Sequence, residues 1–116
     1  MMEDLKKPVN LTIKRGAAYG LEVTIHNEES DPVNLTGYTF KSQIRADWDK
    51  PLLAEFAVMV ENAALGKVAL SLTADNTNKL PTSGAKYDVF IKNSDGVPAC
   101  VMAGDIRVIP ALTRNE

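Results

Sequence analysis

Asp31-Pro-Val-Asn-Leu-Thr-Gly-Tyr-Thr-Phe-Lys-Ser-Gln-Ile-Arg45 holds the clearest pattern in the chain. Ser30-Asp31-Pro32 predicts one turn, and Leu35-Thr36-Gly37 predicts a second, tighter one. From Gly37 on, the residues alternate. Tyr38, Phe40, Ser42, Ile44 and Ala46 point one way, and Thr39, Lys41, Gln43, Arg45 and Asp47 point the other. A period of two with aromatic and β-branched residues marks a half-buried antiparallel strand. Gly37 fits a backbone angle that other residues resist, which would place Tyr38 at the head of the strand.

The same alternation extends in both directions. Pro8 opens a strand whose inward row is Val9, Leu11 and Ile13. Arg15-Gly16 interrupts it, and a new inward row follows at Tyr19, Leu21, Val23 and Ile25. A glycine at such an interruption predicts a bulge or kink, through which one strand can serve two sheets. His26–Pro32 is a loop of polar turn formers. After the central strand comes a second loop, Ala46–Pro51, which contains the only tryptophan. Leu53–Glu61 then alternates with Ala54, Phe56, Val58 and Val60 inward. Asn62–Gly66 turns the chain into Lys67–Leu72, where Val68, Leu70 and Leu72 face the core.

One short helix is predicted near 74–80, with Thr73 as its cap, Asp75 near its positive end and Pro81 after it. At about two turns it cannot hold itself together, so Leu80 is expected to plug one end of the fold. Lys86–Lys92 follows with Tyr87, Val89 and Ile91 inward. Asn93-Ser-Asp-Gly96 is a hairpin signal. Val97–Met102 and Asp105–Ile109, separated at Gly104, close the chain. The total is about seven or eight short strands with frequent turns and no room for crossover helices. The fold class is therefore all-β: a single antiparallel β-sandwich, Ig-like or barrel-like, spanning 1–116 as one domain with flexible ends at 1–7 and 111–116.

At 116 residues the chain can bury roughly 65% of its unfolded surface, enough for one core without staples. Thirteen basic and fifteen acidic residues leave a formal charge of −2 without long runs of either sign. That argues against a nucleic-acid binder, which needs a clustered basic face. No apolar run approaches the roughly 18–20 residues that span a membrane, and Met1–Pro8 lacks the apolar core of a signal peptide. The single cysteine, Cys100, allows no internal disulfide and is expected to be buried in the run before Val101 and Met102.

The sequence offers little catalytic chemistry. His26 is the only histidine, so a paired-histidine metal site is not available. Asp95-Gly96 lacks the oxygen ligands that would continue a calcium loop, and no Gly-x-Ser-x-Gly elbow occurs. No catalytic, cofactor-binding or metal-ligating residues are assigned, and no enzymatic activity is expected. The candidate residues are contacts instead: Asp47, Trp48 and Asp49 on the second loop, and Phe90 on the face opposite Tyr87, Val89 and Ile91. The Trp48 ring has two sensible fates. It folds over the end of the sandwich with its indole N–H on a carbonyl, or it stays out as an anchor for a partner.

The order of the segments also resembles a known group. Ile13-Lys-Arg-Gly16, then Pro32-Val-Asn-Leu-Thr-Gly-Tyr-Thr-Phe40 and Gln43-Ile-Arg45, are followed by Gly66-Lys-Val-Ala-Leu-Ser-Leu-Thr-Ala74, Leu80-Pro81 and Tyr87-Asp-Val89 before Ser94-Asp-Gly96. Over about residues 9–109 this resembles small all-β virion structural proteins of tailed bacteriophages and prophages, including the N-terminal domain of baseplate upper proteins. The resemblance implies a non-enzymatic component of a particle: a tail or baseplate accessory, a neck component or a capsid decoration protein. It implies location in the virion, other phage structural proteins as partners, and self-association as a trimer or hexamer. Baseplate upper proteins continue into receptor-binding modules that this sequence does not include. A stand-alone carbohydrate- or receptor-binding module is the alternative expectation.

Overall fold

Nine strands account for about half of the residues in the computed structural model, which describes residues 8–27 and 29–113. They are β1 (Leu11–Lys14), β2 (Tyr19–Thr24), β3 (Thr39–Lys41), β4 (Gln43–Arg45), β5 (Leu52–Glu55), β6 (Ala57–Asn62), β7 (Lys67–Leu72), β8 (Ala85–Lys92) and β9 (Pro98–Ile109). They build an all-β sandwich. The larger sheet has six strands in the order β1-β9-β8-β4-β5, with β3 also on β8; the smaller has three, β2-β7-β6. Pairing is antiparallel as expected except at one edge, where β1 lies parallel to β9 from Leu11↔Ile106 to Lys14↔Ile109. The ends expected to be flexible at 1–7 and 114–116 lie outside the described residues, and Ala111–Thr113 follow β9 without strand structure.

The kink expected at Arg15-Gly16 is present. Gly16 has φ +85°, and the chain leaves the larger sheet in β1 and enters the smaller one in β2. A second crossing of this kind occurs on the opposite flank. Leu53–Glu61 was expected as one strand, but it divides at Phe56 into β5 of the larger sheet and β6 of the smaller. The central strand also divides, at Ser42, which is fully buried. Its Oγ donates to the Asp88 carbonyl at 2.7 Å, and its own carbonyl accepts from Phe56 N–H at 3.0 Å. Conversely, Gly104 does not separate one strand from another, because β9 runs through it unbroken.

The core fills the space between the sheets. Ile13, Ile44, Val89 and Ile106 from the larger sheet meet Leu70 and Leu72 from the smaller, while Val68 packs with Ile25 and Leu35 in a second cluster, all nearly inaccessible. Phe56, at the crossing, packs edge-on to Tyr87 at 5.7 Å and tilted against Tyr19 at 6.3 Å. The inward rows are less sealed at the margins than the alternation implies. Leu21, Val23, Tyr38 and Phe40 are only partly buried, and Val60 is 39% exposed. β2 and β6 are the edges of a three-stranded sheet, so solvent reaches their side chains from the flank.

Cys100 was expected inside and is only half-buried. The ladder shows why. Met102 sits opposite buried Val89, and Cys100 sits opposite outward Phe90, so Val101 is the extra residue of a bulge. That bulge turns Cys100 to the outer face. Burial still pushes its thiol upward.

The helix is shorter than expected. α1 (Ala74–Thr77) is capped by Thr73, whose Oγ1 accepts from Asn76 N–H at 3.2 Å, and Asp75 sits in its first turn. Leu80 is fully buried, as its expected role as a plug requires. Thr77 fixes α1 to the kink. Its hydroxyl accepts from Gly16 N–H and donates to the Ala17 carbonyl, both at 3.0 Å.

Tyr87 ties the start of the chain to the core. Its hydroxyl donates to the Val9 carbonyl at 2.6 Å while the ring is buried. Burial, with a smaller contribution from Tyr19, pushes its pKa well above the ordinary tyrosine value. The folded state therefore favours the neutral phenol. The resulting stability is full below the unfolded-state pKa of about 10 and is lost as pH rises beyond it. Urea melts across that alkaline range should show falling stability in the native chain and a flatter limb in Tyr87→Phe. At neutral pH the variant should lose about 1 kcal/mol with the hydrogen bond. An unchanged alkaline limb would mean that another group governs it.

Candidate functional site

The hairpin between β4 and β5 presents Trp48 to solvent, with the residue 85% exposed and no indole hydrogen bond among the described residues. The ring does not fold over the sandwich end, which was the first of its two expected fates. The loop that carries it is tied by its own hydrogen bonds. Asp47 Oδ1 accepts from Trp48 N–H at 2.8 Å, Lys50 N–H donates to the Asp47 carbonyl at 3.0 Å, and Arg45 Nη1 donates to the Lys50 carbonyl at 2.8 Å. Asp49 is exposed at the tip. Beside Trp48 lies a hollow of about 140 Å³ walled by Gln43, Arg45, Asp47, Lys86, Tyr87 and Asp88. Arg45 is held there by a second bond, from Nη2 to Gln43 Oε1 at 3.1 Å.

The electrostatics of this wall are mixed. Lys86 pairs with Asp105 Oδ1 at 2.8 Å, which holds its ammonium above the ordinary lysine range. Partial burial raises the Asp88 carboxyl, and the Arg45 charge pulls it back down. Phe90 lies on the same outer face, 40% exposed, but farther along β8. Its cross-strand neighbours are Lys41 and Cys100, and it does not line the hollow. The structure therefore unites Asp47 and Trp48 in one surface feature and leaves Phe90 outside it.

A second surface was not singled out from sequence. Leu52–Asn62 runs along one whole flank, because β5 is the edge of the larger sheet and β6 the edge of the smaller. The flank contains no lysine, arginine or proline, the residues that commonly guard open edges. Leu52 is 42% exposed and Met59 68%, with Val60 beside them and Leu65 on the next turn. Bulges at Leu53 and Glu61 bracket the run. The Glu61 carboxyl is raised, first by its hydrogen bond with Glu22 on the outer face. The opposite flank differs, with Lys14, Arg15 and the Gly16 kink along it. The available signal was Met59 in an outward position; Leu52 shares the parity of the inward row, and the bulge at Leu53 breaks that phase.

At the far end of β8 an open groove of about 970 Å³ lies between the His26–Pro32 loop and the Asn93–Gly96 hairpin, floored by Val33, Tyr38, Ile91 and Val97. The side-chain oxygens of Asn27, Asn34 and Asn93 are bound to backbone N–H groups of their own turns. These asparagines shape the loops.

No described protein family and no curated protein matches this chain. Among solved structures, it is similar to a chain of the ZIG-8–RIG-5 IG1–IG1 heterodimer at 12% identity and a TM-score of 0.48, over 92% of this chain and 87% of that one.

Proposed function

We infer that this protein is a non-enzymatic structural component of a tailed-phage or prophage particle, working by protein–protein assembly. Its place is in the virion, as a tail or baseplate accessory, a neck component or a capsid decoration protein. Its partners are other structural proteins of the particle and copies of itself, in a trimer or hexamer. The observation that carries the assembly reading is the Leu52–Asn62 flank. Two open sheet edges meet there in one continuous stretch without a guarding cation, and apolar side chains stand outward on it. Exposed edges of that kind pair with other chains unless something covers them. The phage assignment rests on the order of sequence segments from Ile13 to Gly96.

Met59→Lys tests the surface. Met59 is outside the core, so the melting temperature should hold, while a cation on the flank should weaken association by about 2 kcal/mol or more if Met59 is a hot spot. Sedimentation equilibrium of both proteins reads this directly. A wild-type chain that stays monomeric at high concentration would remove self-association from the proposal. Neighbouring capsid, connector or tail genes would support the particle assignment, and their absence would count against it.

A further inference from the structure

The geometry points to a glycan-binding site at Trp48, in which the indole stacks on one hexopyranose ring and the side chains of the adjoining hollow bind its hydroxyls. The site adjoins the β5 end of the Leu52–Asn62 flank, through the pairing of Arg45 with Leu52, but does not depend on the assembly reading.

Trp48 stands out on a loop whose backbone is tied by its own hydrogen bonds, so a ligand has little backbone left to order there. A rigid, exposed aromatic face would suit either a protein or a sugar. Its surroundings favour the sugar. A protein hot spot sits in a well-packed pocket that excludes water from the anchor. Here Gln43, Arg45, Asp47, Lys86 and Asp88 line the hollow beside Tyr87, and an apolar partner would have to desolvate their charged and amide groups without compensation.

A pyranose offers this wall what an apolar protein surface does not. One face of the ring is a flat array of C–H groups that packs on an aromatic surface, and its edge carries hydroxyls that both donate and accept. Asp47 and Asp88 supply acceptors, Arg45 and Lys86 supply donors, and the Gln43 amide supplies a further donor while its oxygen holds Arg45. The hollow, at about 140 Å³, is on the scale of a single ring and is open on one side, so a chain of residues can continue past it. A few convergent polar groups beside one apolar surface is the usual composition of a small-ligand site.

Trp48 is the only tryptophan, so emission excited selectively in tryptophan reports on this site alone. The full chain is applied to an immobilised array of bacterial and animal glycans, and titrated in solution with chitotetraose, maltotetraose and the strongest array ligand. The expected result is a saturable change in emission with at least one glycan. Calorimetry should show about tenfold or greater weakening in Trp48→Ala, the size of a lost aromatic stacking contact, with an unchanged melting temperature. Asp88→Asn, which keeps the shape and removes the charge, should also weaken binding. Silence of every glycan overturns the proposal, as does binding that survives Trp48→Ala. A Trp48→Ala variant that binds no glycan differently but dissociates an oligomer also overturns it and assigns the ring to a protein contact.

Discussion

Gly104→Ala is expected to destabilise the protein by about 3 kcal/mol, the upper end of what overpacking costs. The position lies in an uneventful run of the ladder, Tyr87↔Gly104 between Lys86↔Asp105 and Asp88↔Ala103, so nothing in the pairing marks it as special. The reason lies above it. A Cβ at Gly104 would stand 2.1 Å from the Val9 carbonyl oxygen and 2.7 Å from its carbon, far inside any tolerated contact, and both are backbone atoms that no rotamer can move. Relief requires lifting residue 9. That would break the Tyr87 hydroxyl bond to the Val9 carbonyl and the Val9 N–H bond to the Ala103 carbonyl at 2.9 Å, and would loosen Asn10 Oδ1 from Asp105 N–H at 3.0 Å. The β1–β9 pairing should then fray from its beginning. Denaturant melts measure the loss, and hydrogen exchange should show Leu11–Lys14 losing protection before β7 does. A variant as stable as the native chain, with β1 protected, would show that Val9 can be displaced at little cost.

Gly104 also illustrates what alternation can and cannot report. A glycine inside a strand pattern has two meanings, an interruption or a close approach by another piece of backbone. The sequence around Gly104 supported the first and the structure has the second, because the approaching residue, Val9, belongs to the other end of the chain. Gly16 was legible because its interruption is local: the inward row stops at Ile13 and restarts at Tyr19. Phe56 marks the same kind of crossing and gave no sign. Ala54, Phe56 and Val58 keep their phase through it, and a strand that keeps its phase while changing sheets looks like one strand. The misplacement of Cys100 has the same root, since the Val101 bulge is set by pairing with β8 and not by anything local. The candidate residues fared unevenly for a related reason. Exposure of Phe90 follows from its parity on β8. The outward position of Trp48 is a side-chain direction at a loop tip, which neither composition nor alternation reports. The open flank requires knowing which strands are last in each sheet.

Leu70→Ala should cost about 4 kcal/mol, within the range for deleting a buried leucine side chain. Leu70 is inaccessible to solvent at the middle of β7, and β7 is the central strand of the smaller sheet. Leu21 is its ladder partner on one side and Val58 on the other. Both neighbours are held in register by backbone pairing, and the larger sheet closes the space in front, so the walls cannot collapse onto the vacancy. A site that cannot collapse carries the cavity cost as well as the lost transfer free energy. For a chain of this size the loss corresponds to a fall of roughly 15 °C in the melting temperature. Met59→Ala is the control, since Met59 lies on the outward side of the same sheet and should move stability by less than about 0.5 kcal/mol. The two results together test the inward row. If Leu70→Ala melts like the native chain while Met59→Ala falls, then the side of β7 facing the larger sheet has been assigned the wrong way round.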